Sequence, residues 1–190
     1  TMGYSADGVT NEYPWIGMRI VEWDEDGNEI WKWDPFEHFT MDDYDDYGGT
    51  WWVALQQGFY DWMHSNAFHF DEVESVIYFS SRHLSRLTKI AYPSGEVIWM
   101  MGMPAEYMSS GDEHICTELG FSWQHNVQLL DNGNIITLDN GNISSLLFAD
   151  YNGANLTRAL EISVDEINHT AEIIWEYILD EDLFEIWTFS

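Results

Sequence analysis

Apolar and polar residues alternate along this chain in short runs. Gly, Asn, Asp and Pro cut the runs into strand-length pieces. Three stretches share one pattern: Arg19–Asp34 (RIVEWDEDGNEIWKWD), Leu87–Gly102 (LTKIAYPSGEVIWMMG) and Leu160–Tyr177 (LEISVDEINHTAEIIWEY). Each reads as strand, turn, strand, and each second strand carries Ile-Trp, at Trp31, Trp99 and Trp175. A second type of hairpin is predicted at Trp62–Arg82 and Trp123–Gly141. In the latter, Asn132-Gly133 is the signal of a two-residue type I′ turn. The DEDGN stretch at Asp24–Asn28 reads as a hairpin turn rather than a metal loop.

Two hairpins per repeat make a four-stranded antiparallel unit, and serial units of that kind predict an all-β fold, a β-propeller. The pattern calls for no helix. Whole units are expected at 62–102 and 123–177, a partial unit at 19–34, and the start of another strand at 183–190, all within one partial domain over 1–190. A closed propeller takes at least about four blades. The chain is therefore expected to cover about half of a ring, with the remaining blades coming from the rest of the protein or from other chains.

Composition narrows the setting. Apolar residues make up 45 % and aromatics 16 % of the 190 residues, which is a folded chain with a real core. No apolar run is long enough to span a bilayer as a helix. Against 34 Asp and Glu stand 6 Lys and Arg, a formal charge of −28. Such a surface repels nucleic acid and anionic lipid and suits a salty or extracellular medium. The acidic run Met41–Gly49 lacks the spacing of an EF-hand loop. The lone cysteine, Cys116, has no intrachain partner and reads as a buried apolar residue. Asn142, Asn155 and Asn168 head Asn-x-Ser/Thr sequons, which matter only in a glycosylating host.

Trp-x-His occurs in both repeats, at Trp62/His64 and Trp123/His125. Strand alternation predicts that His64 and Asn66 share one face. Pairing of Phe70 with Ile77 across the DEVES turn would set His64 nearly opposite Arg82. By the repeat, His125 is expected at the His64 position of the next unit. These four residues suit transfer of a compact oxyanion. A neutral imidazole is a nucleophile, a guanidinium matches sulfate or phosphate oxygens, and further donors stabilise the charge that grows in the transition state. Arg82, Arg86 and Lys89 concentrate positive charge in an acidic chain.

The competing readings are a structural histidine at each position and a Zn²⁺ site from His64, His69 and His125. For the metal there is no HExxH or Cys/His cluster, and His69 belongs on the face opposite His64. His38, His83, His114 and His169 read as surface or structural, without evident partners. Gly-rich phosphate loops and the G-x-S-x-G elbow are absent from the sequence.

At these residues the chain resembles the PAPS-independent arylsulfate sulfotransferases. The resemblance runs from about Arg19 to Tyr177 and rests on DWMHSNAF, on YFSSRHLSRLTKI with GEVIWMMG, and on FSWQHNVQLLDNGNIITLDNG. It implies a six-bladed propeller, periplasmic or otherwise exported. It implies a reaction without cofactor, in which a sulfuryl group passes from a phenolic sulfate ester to a phenol through a sulfohistidine. By the same resemblance His125 is the nucleophile, while His64, Asn66 and Arg82 bind and polarise the sulfuryl oxygens. His64 also serves proton transfer at the phenol oxygen. Trp62 and Trp123 are candidates to line an aromatic channel or to pack between units.

Two function classes follow. One is the sulfuryl-transfer enzyme; the other is a non-catalytic propeller that binds or assembles, since one fold hosts both. A sulfatase or phosphatase fits less well, because hydrolysis needs a positioned water and usually a metal.

Overall fold

The structure, a computed structural model, describes residues 3–5, 12–39, 51–102, 114–116, 119–142 and 156–179. The chain is all-β. Its first strands are β1 (Gly3–Ser5), β2 (Glu12–Ile16), β3 (Ile20–Trp23), β4 (Glu29–Trp33) and β5 (Tyr60–Asp61). There follow β6 (Ser65–Asp71), β7 (Val76–Ser81), β8 (Arg86–Ala91), β9 (Val97–Gly102) and β10 (His114–Cys116). The last are β11 (His125–Leu129), β12 (Ile135–Asp139), β13 (Arg158–Asp165) and β14 (Thr170–Ile178). One short helix, α1 (Trp51–Gln57), breaks the expectation of a chain without helix and seats Ala54 in the core. The stretches Met41–Gly49 and Leu183–Ser190, the sequon residue Asn155 and the Cys116 side chain lie outside what is described.

Two sheets carry the architecture. The first is an antiparallel meander, β6 to β9, with β10 added parallel to β9. The second is the meander β11 to β14. Smaller sheets, β1-β2-β5 and β3-β4, stand before them. Strand β11 packs against β6 and β7, so the two meanders meet along their first strands.

Strand β7 of the first meander is buried on both faces, which explains its unbroken apolar run VIYF at 76–79. Ile77, Phe79, Ile90 and Met100 point to one cluster with Trp15, Trp33, Tyr60 and Trp62. Val76, Tyr78, Leu87, Trp99 and Met101 point to the other, shared with Phe121 and with Val127, Ile135, Leu160 and Ile162 of the second meander.

The shared Ile-Trp of the three hairpins has a structural cause. Glu22, Lys89 and Glu161 face Trp31, Trp99 and Trp175, and in each hairpin the next pair skips one residue. The skipped residue is Ile30, Ile98 or Ile174, so each Ile-Trp marks a β-bulge that bends its hairpin at the same point. The Asp131–Gly133 loop corrects the type I′ expectation. Gly133 donates to Leu130 O at 2.9 Å and takes φ 85°, a type I turn closed by a glycine bulge. The turn at Asp24 repeats it with Gly27, and the Asp24 carboxylate accepts from the N–H groups of Asp26 and Asn28.

Candidate active site

The site lies where the first strand of each meander begins and the second ends. Phe70 pairs with Ile77, as expected, and the ladder runs back to Ser65 opposite Ser81. The chain turns through Arg82–Ser85 before β8, with Ser85 at φ 47° and its N–H on Arg82 O at 2.9 Å. Gly102 lets this turn sit close. A Cβ there would lie 1.9 Å from Ser85 O, and its φ of 136° suits no other residue. Arg82 and His64 therefore flank strands instead of standing within them. Arg82 N–H reaches His64 O at 3.4 Å and His83 N–H reaches Met63 O at 3.0 Å.

Two sequence expectations about alternation fail here. Ser65 pairs with Ser81 and Ala67 with Ser80, which leaves Asn66 as an extra, bulged residue. The bulge interrupts the alternation that would have placed His64 and Asn66 on one face. The Trp-x-His repeat is also out of step with the backbone repeat. In the second meander His125 faces Leu138 and Asp139 faces Arg158, which sets Gln124 opposite Asp139 as Ser65 is opposite Ser81. Trp123 thus corresponds to His64, Asn140 to Arg82, and His125 to Asn66. The left-handed φ values of His64 (46°) and Trp123 (50°) mark the same corner.

The structure still brings all four predicted residues together. Gln124, fully buried, joins the two meanders: its Nε2 donates to Ser80 Oγ, Ser81 O and Arg86 O, at 3.1, 3.2 and 2.9 Å. Asn66 Nδ2 donates to Gln124 O at 2.8 Å, so its amide ties the sheets beside the site. The Arg82 guanidinium lies 4.5 Å from the centre of the Trp123 ring. Trp123 N–H donates to Ser85 Oγ at 3.1 Å. Trp62, in contrast, is wholly buried in the core.

His125 Nδ1 lies 3.1 Å from Asn140 Oδ1. With an oxygen facing it, Nδ1 carries the hydrogen and Nε2 keeps its lone pair. Burial, then the charges of Arg82 and His64, hold the ring below the ordinary imidazole value, although the Asn140 bond works the other way. That balance keeps a neutral, nucleophilic imidazole beside a cation. Asn140 is in turn fixed by Thr157 Oγ1, which donates to its carbonyl at 2.8 Å. Next to it Asp139 accepts from Ser122 N and Gly141 N and pairs with Arg158 at 2.8 Å.

Two residues of the site go unread in the sequence, Asp61 and Asn140, and a third, His83, reads there as surface or structural without a partner. His83 is a correction. It is 7 % exposed and far from lacking partners. Its Nδ1 lies 2.6 Å from Asp61 O and its Nε2 lies 2.9 Å from Arg82 Nη1. Its ring sits 4.7 Å from that of His64 and 5.2 Å from that of Trp123. His38 also has a partner, stacking on Trp33 at 4.9 Å. Asp61 receives His64 Nδ1 on its carboxylate. Burial works to raise the Asp61 carboxyl, but the His64 bond and the His83 and His64 charges outweigh it and leave it lowered.

Asp61, His64 and His83 present ligand atoms within 4.8 Å of one another. A metal ion there would have to displace one of the two His83 bonds and sit near the Arg82 guanidinium, so the trio reads better as a hydrogen-bonded cluster. His69 lies away from it, against Tyr78. Of the cluster of basic residues, Arg86 stacks on Phe39 at 5.1 Å and Lys89 is held by Glu74 and Glu166. Arg82 is the one that serves this site.

The corner combines a neutral imidazole with a free Nε2, a second imidazole backed by a carboxylate, and a guanidinium laid on an indole. Such a set has the chemistry to attack and transfer a small, oxygen-rich anionic group. Comparison with curated proteins finds no match. The arylsulfotransferase (ASST) family model matches residues 4–184, nearly the whole chain, and the chain belongs to that family.

Proposed function

We propose that the protein transfers a sulfuryl group from an aryl sulfate to a phenol by a ping-pong route through His125. The observation that carries this reading is the His125–Asn140 contact, which leaves Nε2 as the nucleophile. In the first half-reaction Nε2 attacks sulfur, the N–S bond forms and the S–O bond to the aryl group breaks. The departing phenolate oxygen takes a proton from Nε2 of His64, which enters this half-reaction as an imidazolium with its Nδ1–H on Asp61 and leaves it as a neutral ring. Arg82 balances the charge on the sulfuryl oxygens. Asn140 Oδ1 faces the Nδ1–H of the ring as positive charge develops on it. In the second half-reaction His64 takes the proton of the acceptor phenol, whose oxygen attacks sulfur as the N–S bond breaks.

Asn66 supports the pocket by its bond to Gln124 O, and its second N–H serves the sulfuryl oxygens. Trp123 offers a ring edge to the aromatic donor while it carries Arg82 on its face. The exposed apolar residues of β14, Trp175 and Tyr177 among them, favour further sheets of a larger ring as neighbours. Export to the periplasm or medium belongs to the same proposal.

The test is peptide mapping of the natively assembled protein after brief exposure to an aryl sulfate without acceptor. The expected result is a sulfuryl adduct on His125, discharged by a phenol and missing in His125→Ala. Release of phenol without any histidine adduct would replace the ping-pong route by direct transfer.

A further inference from the structure

We propose that Asp61 positions both polar arms of the site, His64 through its carboxylate and Arg82 through its carbonyl by way of His83. The inference rests on the sulfuryl-transfer reading above and assigns work to two residues outside the predicted set. Asp61 ends β5, a strand of the β1-β2-β5 sheet and outside the two meanders whose corner holds His64, Arg82 and His125. Its place is fixed by the ladder that pairs Ile16 with Asp61 and by Trp62 N–H on Ile16 O at 3.2 Å. The core behind it is closed by Trp15, Tyr60 and Trp62, packed edge to face.

The atoms dictate the tautomers. An ionised carboxylate only accepts, so His64 Nδ1 carries a hydrogen and its Nε2 is the nitrogen left for substrate. A carbonyl also only accepts, so His83 Nδ1 carries a hydrogen toward Asp61 O. A guanidinium only donates, so His83 Nε2 must accept from Arg82 Nη1. His83 is therefore a neutral imidazole used as an acceptor. Burial, above all, supports this by lowering it to about 4. A neutral acceptor orients the guanidinium without neutralising it, which a carboxylate in the same place would do. Arg82 is thus held between the His83 nitrogen and the Trp123 face.

The two arms leave different kinetic signatures. His64 acts on the aryl oxygen, so loss of the Asp61 carboxylate matters most when the leaving phenol is basic. Arg82 acts on oxygens common to every donor, so loss of His83 weakens all donors alike.

The experiment measures sulfuryl loading of His125 in the natively assembled protein with phenyl sulfate and with 4-nitrophenyl sulfate. Asp61→Asn is expected to slow loading from phenyl sulfate by about 100-fold or more, and from 4-nitrophenyl sulfate by less than about threefold. Asp61→Glu, which restores a carboxylate, is expected to recover part of the phenyl sulfate rate. His83→Leu is expected to raise the half-saturating concentration of both donors by about tenfold with unchanged leaving-group preference, and His83→Gln, which keeps an acceptor for Arg82, by less. Equal losses on the two donors in Asp61→Asn, or unchanged half-saturation in His83→Leu, overturn the assignment while leaving His125 loading intact. A wild-type protein that loads neither donor overturns the sulfuryl-transfer reading itself.

Discussion

His64 and Trp123 hold the same backbone position in the two meander sheets, each one step before the residue that faces the end of the second strand, with φ of 46° and 50°. One sheet places an imidazole at that corner and the other an indole. The indole carries Arg82 on its face at 4.5 Å. The site is thus two copies of one corner that diverged in side chain.

The two tryptophans of the Trp-x-His repeat consequently do different work. Trp62 is fully buried, and Trp62→Ala is expected to destabilise the fold by about 3–5 kcal/mol, read from the urea midpoint. Trp123→Ala is expected to leave folding nearly unchanged. Loss of a cation–π contact worth about 1–2 kcal/mol should weaken donor binding about five- to thirtyfold. Trp123→Phe is expected to fall between. Equal unfolding by both alanine variants would refute the distinction.

Asn140 is predicted to govern the tautomer of His125. Asn140→Leu removes the acceptor that faces Nδ1 and allows the hydrogen to move to Nε2. Loading of His125 is expected to slow by about 100-fold, with donor binding little changed. Asn140→Asp, which keeps an acceptor, should retain more activity. Single-turnover mass measurement at saturating donor separates the two effects.

His125 is expected to remain neutral to a lower pH than a free imidazole. Burial, first, and the charges of Arg82 and His64 stabilise the uncharged ring relative to the ordinary value of 6.5. A proton on Nε2 removes the nucleophile, so a lowered value extends activity toward acid. Replacing Arg82 by Gln should move the His125 titration upward. An NMR pH titration of the ring reads this without depending on turnover, and a downward shift would contradict the assignment.

His83 gives stability its own pH dependence. In the unfolded chain it binds a proton near 6.5, but in the folded chain burial delays this to about 4. The unfolded state therefore holds the extra proton between those values, and stability falls as pH drops through that window. The full contribution is present above 6.5 and amounts to about 3 kcal/mol at most. Urea unfolding at pH 7 and pH 5 should show the loss, and His83→Gln should flatten that part of the dependence.

Much of the fold was legible because strand periodicity and turn residues are local signals. The hairpins and the Phe70–Ile77 pairing follow from them. The bulges at Asn66 and in β11 were not legible, because an extra residue leaves the sequence pattern intact while shifting the register. That is why the Trp-x-His repeat misled about which residues correspond. Asp61 and His83 escaped because the bond between them, His83 Nδ1 on Asp61 O, joins the end of β5 to the turn after β7, whose geometry depends on Gly102 and Ser85. Asn140 could have been found from the repeat alone, once Arg82 was aligned with it.

The join between the meanders away from the site depends on Lys89. It stands on β8, only 4 % exposed, and donates to Glu74 at 3.0 Å and to Glu166 at 2.6 Å. Glu166 belongs to the second meander's last turn and also accepts from Trp99 Nε1 at 2.8 Å. One carboxylate therefore clamps two side chains of the neighbouring sheet. Burial works to lower the Lys89 ammonium, but the bonds from Glu166 and Glu74 outweigh it and keep it charged. Glu166→Gln is expected to cost about 1–2 kcal/mol, reduced by the solvent that reaches Glu166 and by the remaining Glu74 partner. Lys89→Met removes the buried charge together with its need for a partner. The double variant should then be less destabilised than the sum of the singles. A double-mutant cycle on urea midpoints that gave strict additivity would show that the sheets are held by their apolar contacts alone.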